Sequence, residues 1–256
     1  HGIHGVQDMC SMLVRNNRQF SIESGHWEKS DVIDRVINRI RGIAAAESFK
    51  GSKIGILGEP FAGMGDFQIE PDALKEEYGI EILTFEEEKS SVSGKTIRSI
   101  EEELAYYKTF ADISEVPDDI MRANAEVTLQ LRAWAERESL DGFTCNFLSV
   151  NTKSSIKRVP FLYAAVGMYE GIGYAGEGDF LTAALVGSLL KLNAKSTFTE
   201  IFCPDWESST LFLSHMGEIN PRICPETAKI LAKEYHYSDA LPPVFSTGQC
   251  MPGEAF

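Results

Sequence analysis

The run KIGILG at residues 53–58 constrains the fold more than any other stretch. A short apolar run closed by a glycine and followed by EPFAGMGDF, it has the strand-then-glycine-loop pattern of an α/β domain. Pro71 then opens a short helix with apolar Leu74 and Tyr78, Gly79 stops it, and EILTF at 81–85 is a second strand. Strand, helix and strand in that order form the parallel unit of an α/β protein. The glycine loop after the first strand becomes the expected ligand edge.

The rest of the chain is read around this unit. Apolar residues at 6, 9, 13 and 14 predict a helix, and QFSIES reads as strand-like. Ser30 and Asp31 are candidate caps for a helix running to about Glu47, with Val32, Ile33, Val36, Ile37, Ile40 and Ile43 on one face. Pro117 precedes a helix over 118–139, FTCNFLSV at 143–150 reads as a buried strand, and Pro160 opens a helix ending near Gly171. Asp179 caps a helix from Phe180 to Leu192, and His236 is read as a surface residue at a tyrosine-rich helix end. Past Ser196 short strands and prolines take over, so a β-rich region is expected to begin there. The SGKT at 93–96 lacks the glycine a phosphate loop requires, because Lys89 stands in its place, and EEEK at 86–89 reads as a solvated loop.

Composition removes several function classes. With 38 acidic against 24 basic residues and a net charge of −14, the chain repels phosphate backbones, which argues against a nucleic-acid partner. No apolar run reaches the ~18 residues of a membrane span, so no membrane partner is expected. The five cysteines are scattered without a CxxC pair, which indicates neither a zinc knuckle nor a disulfide framework and makes a cytoplasmic location the expectation.

The chemistry concentrates between Gly173 and Met216, in GYAGEGDFLTAALVGSLL, STFTEIFCPDW and LFLSHMGE. Three potential metal ligands stand there: Glu177 in a Gly-Glu-Gly-Asp turn, and Glu200 and His215 each in a strand-like run. Intervals of 23 and 15 residues are too long for one helix face, so a turn and two paired strands would have to bring them together around a hard or borderline divalent ion. Singly, each has an ordinary reading: a solvated turn residue, an outward polar strand residue, a core histidine. The flanking glycines favour a ligand role for Glu177, since they let the backbone approach closely.

These residues resemble the L-arabinose isomerase and L-fucose isomerase superfamily, and most closely its L-arabinose isomerase branch. The resemblance rests on HG at His4, the GHW containing His26, KIGILGEPF, FTCNF, YAGEGDFLTAAL and the SHM triplet. It implies that Glu177, Glu200 and His215 bind Mn²⁺ or another divalent metal, and that His4, Phe61 and Phe147 lie near the sugar. A fourth ligand, a later histidine, would fall past Phe256. The resemblance also implies a homo-oligomer with active sites shared between subunits. The expected architecture is α/β: the end of an N-terminal α/β domain over 1–50, a central parallel-sheet, Rossmann-like domain over 51–193, and the start of a β-rich C-terminal domain over 194–256. The chain is expected to begin inside a larger protein and, on its own, to be inactive or nearly so.

The implied activity is aldose–ketose isomerisation, in which a proton moves between C2 and C1 through a cis-enediol. That needs a base, an acid and an electrophile holding both oxygens, roles that fall to Glu177, Glu200 and the metal, with His215 helping to stabilise the enediolate. IFCPDW departs from the arabinose pattern, so the preferred aldose is expected to differ from L-arabinose. Two other classes stay open: a sugar-binding or regulatory homologue without turnover, and a different metal-dependent lyase or hydrolase on the same scaffold.

Overall fold

The computed structural model describes residues 2–65, 67–86 and 98–250; the SGKT at 93–96 and most of the EEEK run lie outside the described residues. The chain divides into two compact units, His1–Ala44 and Ala45–Phe256.

The first unit carries helix α1 (Gly2–Arg15) and most of α2 (Val32–Phe49). The expected strand QFSIES is absent, and the segment is irregular. Side-chain ion pairing holds it instead: the Glu23 carboxylate accepts from Arg35 at 2.9 Å and Arg39 at 2.8 Å, which keeps Glu23 below the ordinary carboxylate pKa. The apolar stripe of α2 is real in sequence but stays exposed at Ile33, Ile40 and Ile43, and α1 exposes Ile3, Met9 and Val14.

The second unit is α/β. Strands β1 (Lys53–Leu57), β2 (Glu81–Thr84), β4 (Gly142–Cys145) and β5 (Gly173–Gly176) form one parallel sheet in the order β2-β1-β4-β5. Between them run α3 (Pro71–Tyr78), α4 (Ile100–Tyr107), α5 (Asp118–Glu138) and α6 (Phe161–Glu170), with α7 (Phe180–Leu192) after β5. Punctuation in the sequence sets these ends. Gly79 and Gly171 terminate α3 and α6 in the left-handed conformation, and Ser139 does the same for α5 at φ 57°. Asp179 accepts from Thr182 N at 2.9 Å to cap α7.

Beyond α7 come a hairpin of β6 (Glu200–Asp205) and β7 (Thr210–Ser214), then β8 (Ala228–Ala232) and β9 (Val244–Thr247). The last two join the short β3 (Ala111–Asp112) in a three-stranded sheet, with β8 pairing parallel to β3. One apolar cluster packs around the four-stranded sheet, with Ile54, Ile56, Trp134 and Phe143 at its centre. A second, built on Leu104, Tyr107, Met121, Val166, Ile230 and Val244, lies between α4, α5, α6 and the three-stranded sheet. The tyrosine-rich stretch near His236 is not a helix; it is irregular, with His236 at the surface as expected.

Helix α7 lies flush on the sheet because Gly173 has no side chain. A Cβ there would collide with the Ala183 carbonyl and Gly187 N and sit 2.7 Å from Gly187 Cα, all backbone that cannot rotate away. Gly173→Ala is therefore expected to destabilise the protein by about 1–3 kcal/mol through overpacking. A urea midpoint equal to that of the unaltered protein would show that α7 can lift off at no cost.

Candidate active site at the strand ends

The register of the parallel sheet builds the site. Leu57 pairs with Cys145 and Cys145 with Gly176, so three strands end in one row and the residues after them form one rim. Crevices outside the carboxyl ends of parallel strands are where α/β proteins bind ligands. Glu177 is the first residue past β5 and takes φ 63°, a left-handed backbone that costs a non-glycine residue of order 1–3 kcal/mol. Its surroundings hold it there: Phe61 N donates to the Glu177 carbonyl at 2.9 Å, and Gly178 N donates to Thr144 Oγ1 at 3.0 Å. Gly178 itself has φ 90°, and a Cβ on it would lie 2.5 Å from Pro60 Cα.

The strand expected over 143–150 stops at Cys145. There the Asn146 side chain turns the chain, accepting from Leu148 N at 3.0 Å and donating from Nδ2 to the Glu59 carbonyl at 2.8 Å, and Phe147–Ser149 form a 3-10 turn. This sets Phe147 beside Phe61, with ring centroids 5.7 Å apart. The two aromatics expected near a sugar thus stand together beside the turn that carries Glu177. His4 lies in α1, in the other unit.

The hairpin supplies the remaining candidates. Glu200 opens β6 opposite Ser214, which places His215 one residue past that pair. His215 Nε2 is 3.8 Å from a Glu200 carboxylate oxygen. The ring packs edge-on to Phe198 at 4.6 Å and against Gly176, where a Cβ would be 3.2 Å from His215 Cε1. Glu177 acts on His215 through its charge. Burial alone would depress the His215 pKa, but the hydrogen bond to Glu218 and the charges of Glu218, Glu200 and Glu177 hold it above the ordinary value. Glu177, His215, Phe147, Tyr174, Tyr235 and Glu218 are among the residues lining a cavity of about 150 Å³.

Glu218 was not among the residues expected from sequence. It is buried, accepting from Tyr174 Oη at 3.2 Å and standing 2.9 Å from His215 Nδ1. Burial raises its carboxyl above the usual range, against the opposing pull of His215 and Tyr174.

The donor chemistry suits a divalent ion: two carboxylates and an imidazole whose far nitrogen is already engaged by a carboxylate, the usual outer support of a metal-bound histidine. Among the described residues, however, no three His, Cys, Asp or Glu side chains are gathered closely enough to hold an ion as placed. Glu200 and His215 stand 3.8 Å apart, and Glu177 lines the same cavity as His215.

The fold and the rim together define a Rossmann-like parallel-sheet domain with a carboxylate and imidazole cluster at its strand ends. Residues 73–195 match the family model of the L-arabinose isomerase central domain. The L-arabinose isomerase of Yersinia pestis bv. Antiqua is 25% identical over 247 residues, covering 90% of this chain and 48% of that protein. That of Halalkalibacterium halodurans is 28% identical over 242 residues, covering 89% and 48%, and that of Salmonella arizonae is 23% identical over 243 residues with the same coverage. The chain is similar to L-arabinose isomerases at low identity and spans about half the length of the curated relatives it matches. No helix among the described residues is long and apolar enough to cross a membrane.

Proposed function

We propose that this chain forms the sheet-edge part of the active site of a metal-dependent aldose–ketose isomerase of the cytoplasm. The observation that carries the reading is His215, pinned by buried Glu218 at Nδ1 and facing Glu200 through Nε2 at 3.8 Å, on a cavity that Glu177 also lines. Glu200, His215 and Glu177 would hold Mn²⁺ or a similar divalent ion, with any further donor coming from outside this set. When bound, such an ion supplies an electrophile for the adjacent O1 and O2 of the sugar.

The side chains do the rest. Glu177 and Glu200 exchange the proton between C2 and C1 by way of a cis-enediol, one as base and the other as acid. Phe61 and Phe147 give the sugar an apolar wall, and Tyr174, Tyr235 and Phe198 keep the inner side of His215 dry, which strengthens its interactions with charge. His4 would reach the sugar from a shared site in a homo-oligomer. The residues Phe202, Trp206, Leu211 and Phe212, all exposed on the hairpin that Glu200 opens, support a surface covered by a second copy.

The test is a panel of aldoses incubated with the full-length protein and Mn²⁺, scored as kcat/KM for ketose formation, with a chelator control. Ketose formation lost on chelation and restored by Mn²⁺ is the expected result, with best turnover on an aldose other than L-arabinose. No ketose from any pentose or hexose while sugar still binds would point to a non-catalytic homologue.

A further inference from the structure

We infer that Glu218, oriented by Tyr174, is a positioning residue that fixes the tautomer of His215, placing the ring proton on Nδ1 and keeping Nε2 as a bare lone pair toward Glu200. An ionised carboxylate is an acceptor only, whereas a neutral imidazole has one donor and one acceptor nitrogen. Glu218 presents one oxygen to Tyr174 Oη, which donates at 3.2 Å, and the other to His215 Nδ1 at 2.9 Å. The nitrogen facing that second oxygen must therefore be the donor, and the opposite nitrogen is left free to accept.

The carboxylate has little other reason to be there. Its side chain is 1% exposed, and burying an acid costs stability unless its partners compensate. Both side-chain partners line the same cavity, so its hydrogen-bonding capacity is spent at the site. The backbone around it is also held: Gly217 takes φ 86°, Ser246 N donates to the Gly217 carbonyl at 2.9 Å, and Glu218 bridges Ser246. Phe198 packs edge-on to the ring and Gly176 lies against it, which holds the imidazole with Nδ1 at 2.9 Å from Glu218, a closer acceptor than Glu200 at 3.8 Å from Nε2.

This assignment deepens the proposed isomerase site and rests on it for the use made of Nε2, but the tautomer is read without metal or substrate. Histidine-selective ¹⁵N labelling of the protein, with His215 identified by its loss in His215→Gln, reports which ring nitrogen is protonated at a pH where the ring is neutral. The proton is expected on Nδ1. Glu218→Met, which removes the acceptor at similar volume, should transfer it to Nε2, while Tyr174→Phe should leave it on Nδ1. A ring protonated at Nε2 in the unaltered protein, or an Nδ1 proton that survives Glu218→Met, overturns the assignment. A second readout is titration with Mn²⁺ alone, in which Glu218→Met should bind ~10–100-fold more weakly, while Glu218→Gln, whose amide oxygen can still accept from Nδ1, keeps more of the affinity. Equal affinity in Glu218→Met would overturn the positioning role. Absence of Mn²⁺ binding in the unaltered protein, with the tautomer result intact, would support Glu218's hold on the ring and sink the metal reading instead.

Discussion

Glu200→Gln is expected to lower kcat/KM for aldose isomerisation by ~10²–10⁴-fold, the usual worth of a positioned acid or base, while leaving the fold alone. The separation of the two effects comes from where Glu200 sits. Its side chain is 48% exposed at the start of a hairpin, so exchanging carboxylate for carboxamide should change stability by no more than about 0.5 kcal/mol. The loss then reports chemistry and metal affinity rather than folding. Glu177 offers the opposite contrast. It occupies φ 63°, which glycine would adopt without the Cβ penalty, so Glu177→Gly should hold or raise the unfolding temperature while removing turnover. Turnover by Glu200→Gln close to that of the unaltered protein would take Glu200 out of the mechanism. A Glu177→Gly variant that kept full activity would do the same for Glu177.

What could be read in the residues was mostly local punctuation. Pro71 and Gly79 bracket α3, Asp179 caps α7, and the apolar run before Gly58 is β1, each decided by a neighbour a few positions away. Helix α4 carried an equally local signal that went unread: Ser99 accepts from Glu102 N, and the Glu102 carboxylate accepts from Ser99 N at 2.6 Å. One misread element and one that carried no reading share a different cause. QFSIES has a strand's composition, but the Glu23 ion pairs with α2 hold it as irregular chain. Strand β3 is two residues long and exists through its pairing with Ala228 and Lys229, far along the chain. The site divides the same way. Glu177, Glu200 and His215 stand out because acids and a histidine sit beside glycines and in strand-like runs. Glu218 hides in SHMGE as an ordinary acid, since the Tyr174 hydroxyl that gives it meaning arrives only through the sheet.

The largest stability loss is expected from Arg132→Met, at about 3–5 kcal/mol, because it strands a carboxylate in the interior. Glu103 is fully buried on α4 and accepts from Arg132 at 2.7 Å, with Arg98 more distant at 3.3 Å. Arg132 also grips Glu170 through two nitrogens at 3.1 and 3.0 Å, so it ties α4 and α6 to α5. Burial works against its charge, yet the bonds and charges of Glu103 and Glu170 raise its pKa well above that of a free guanidinium. Among the described residues, removing Arg132 leaves Arg98 as the charged partner of Glu103, and its side chain is 41% exposed and less able to offset the desolvation. Removing the acid instead is milder. After Glu103→Gln the guanidinium keeps Glu170 and still has an amide oxygen to meet, so the expected cost is about 1 kcal/mol. The double variant Glu103→Met with Arg132→Met should regain much of what Arg132→Met loses, since no buried charge is left without its partner. Urea midpoints for the three variants decide the matter: Arg132→Met no worse than Glu103→Gln would mean that Arg132 is not what offsets the burial of Glu103 in the folded protein.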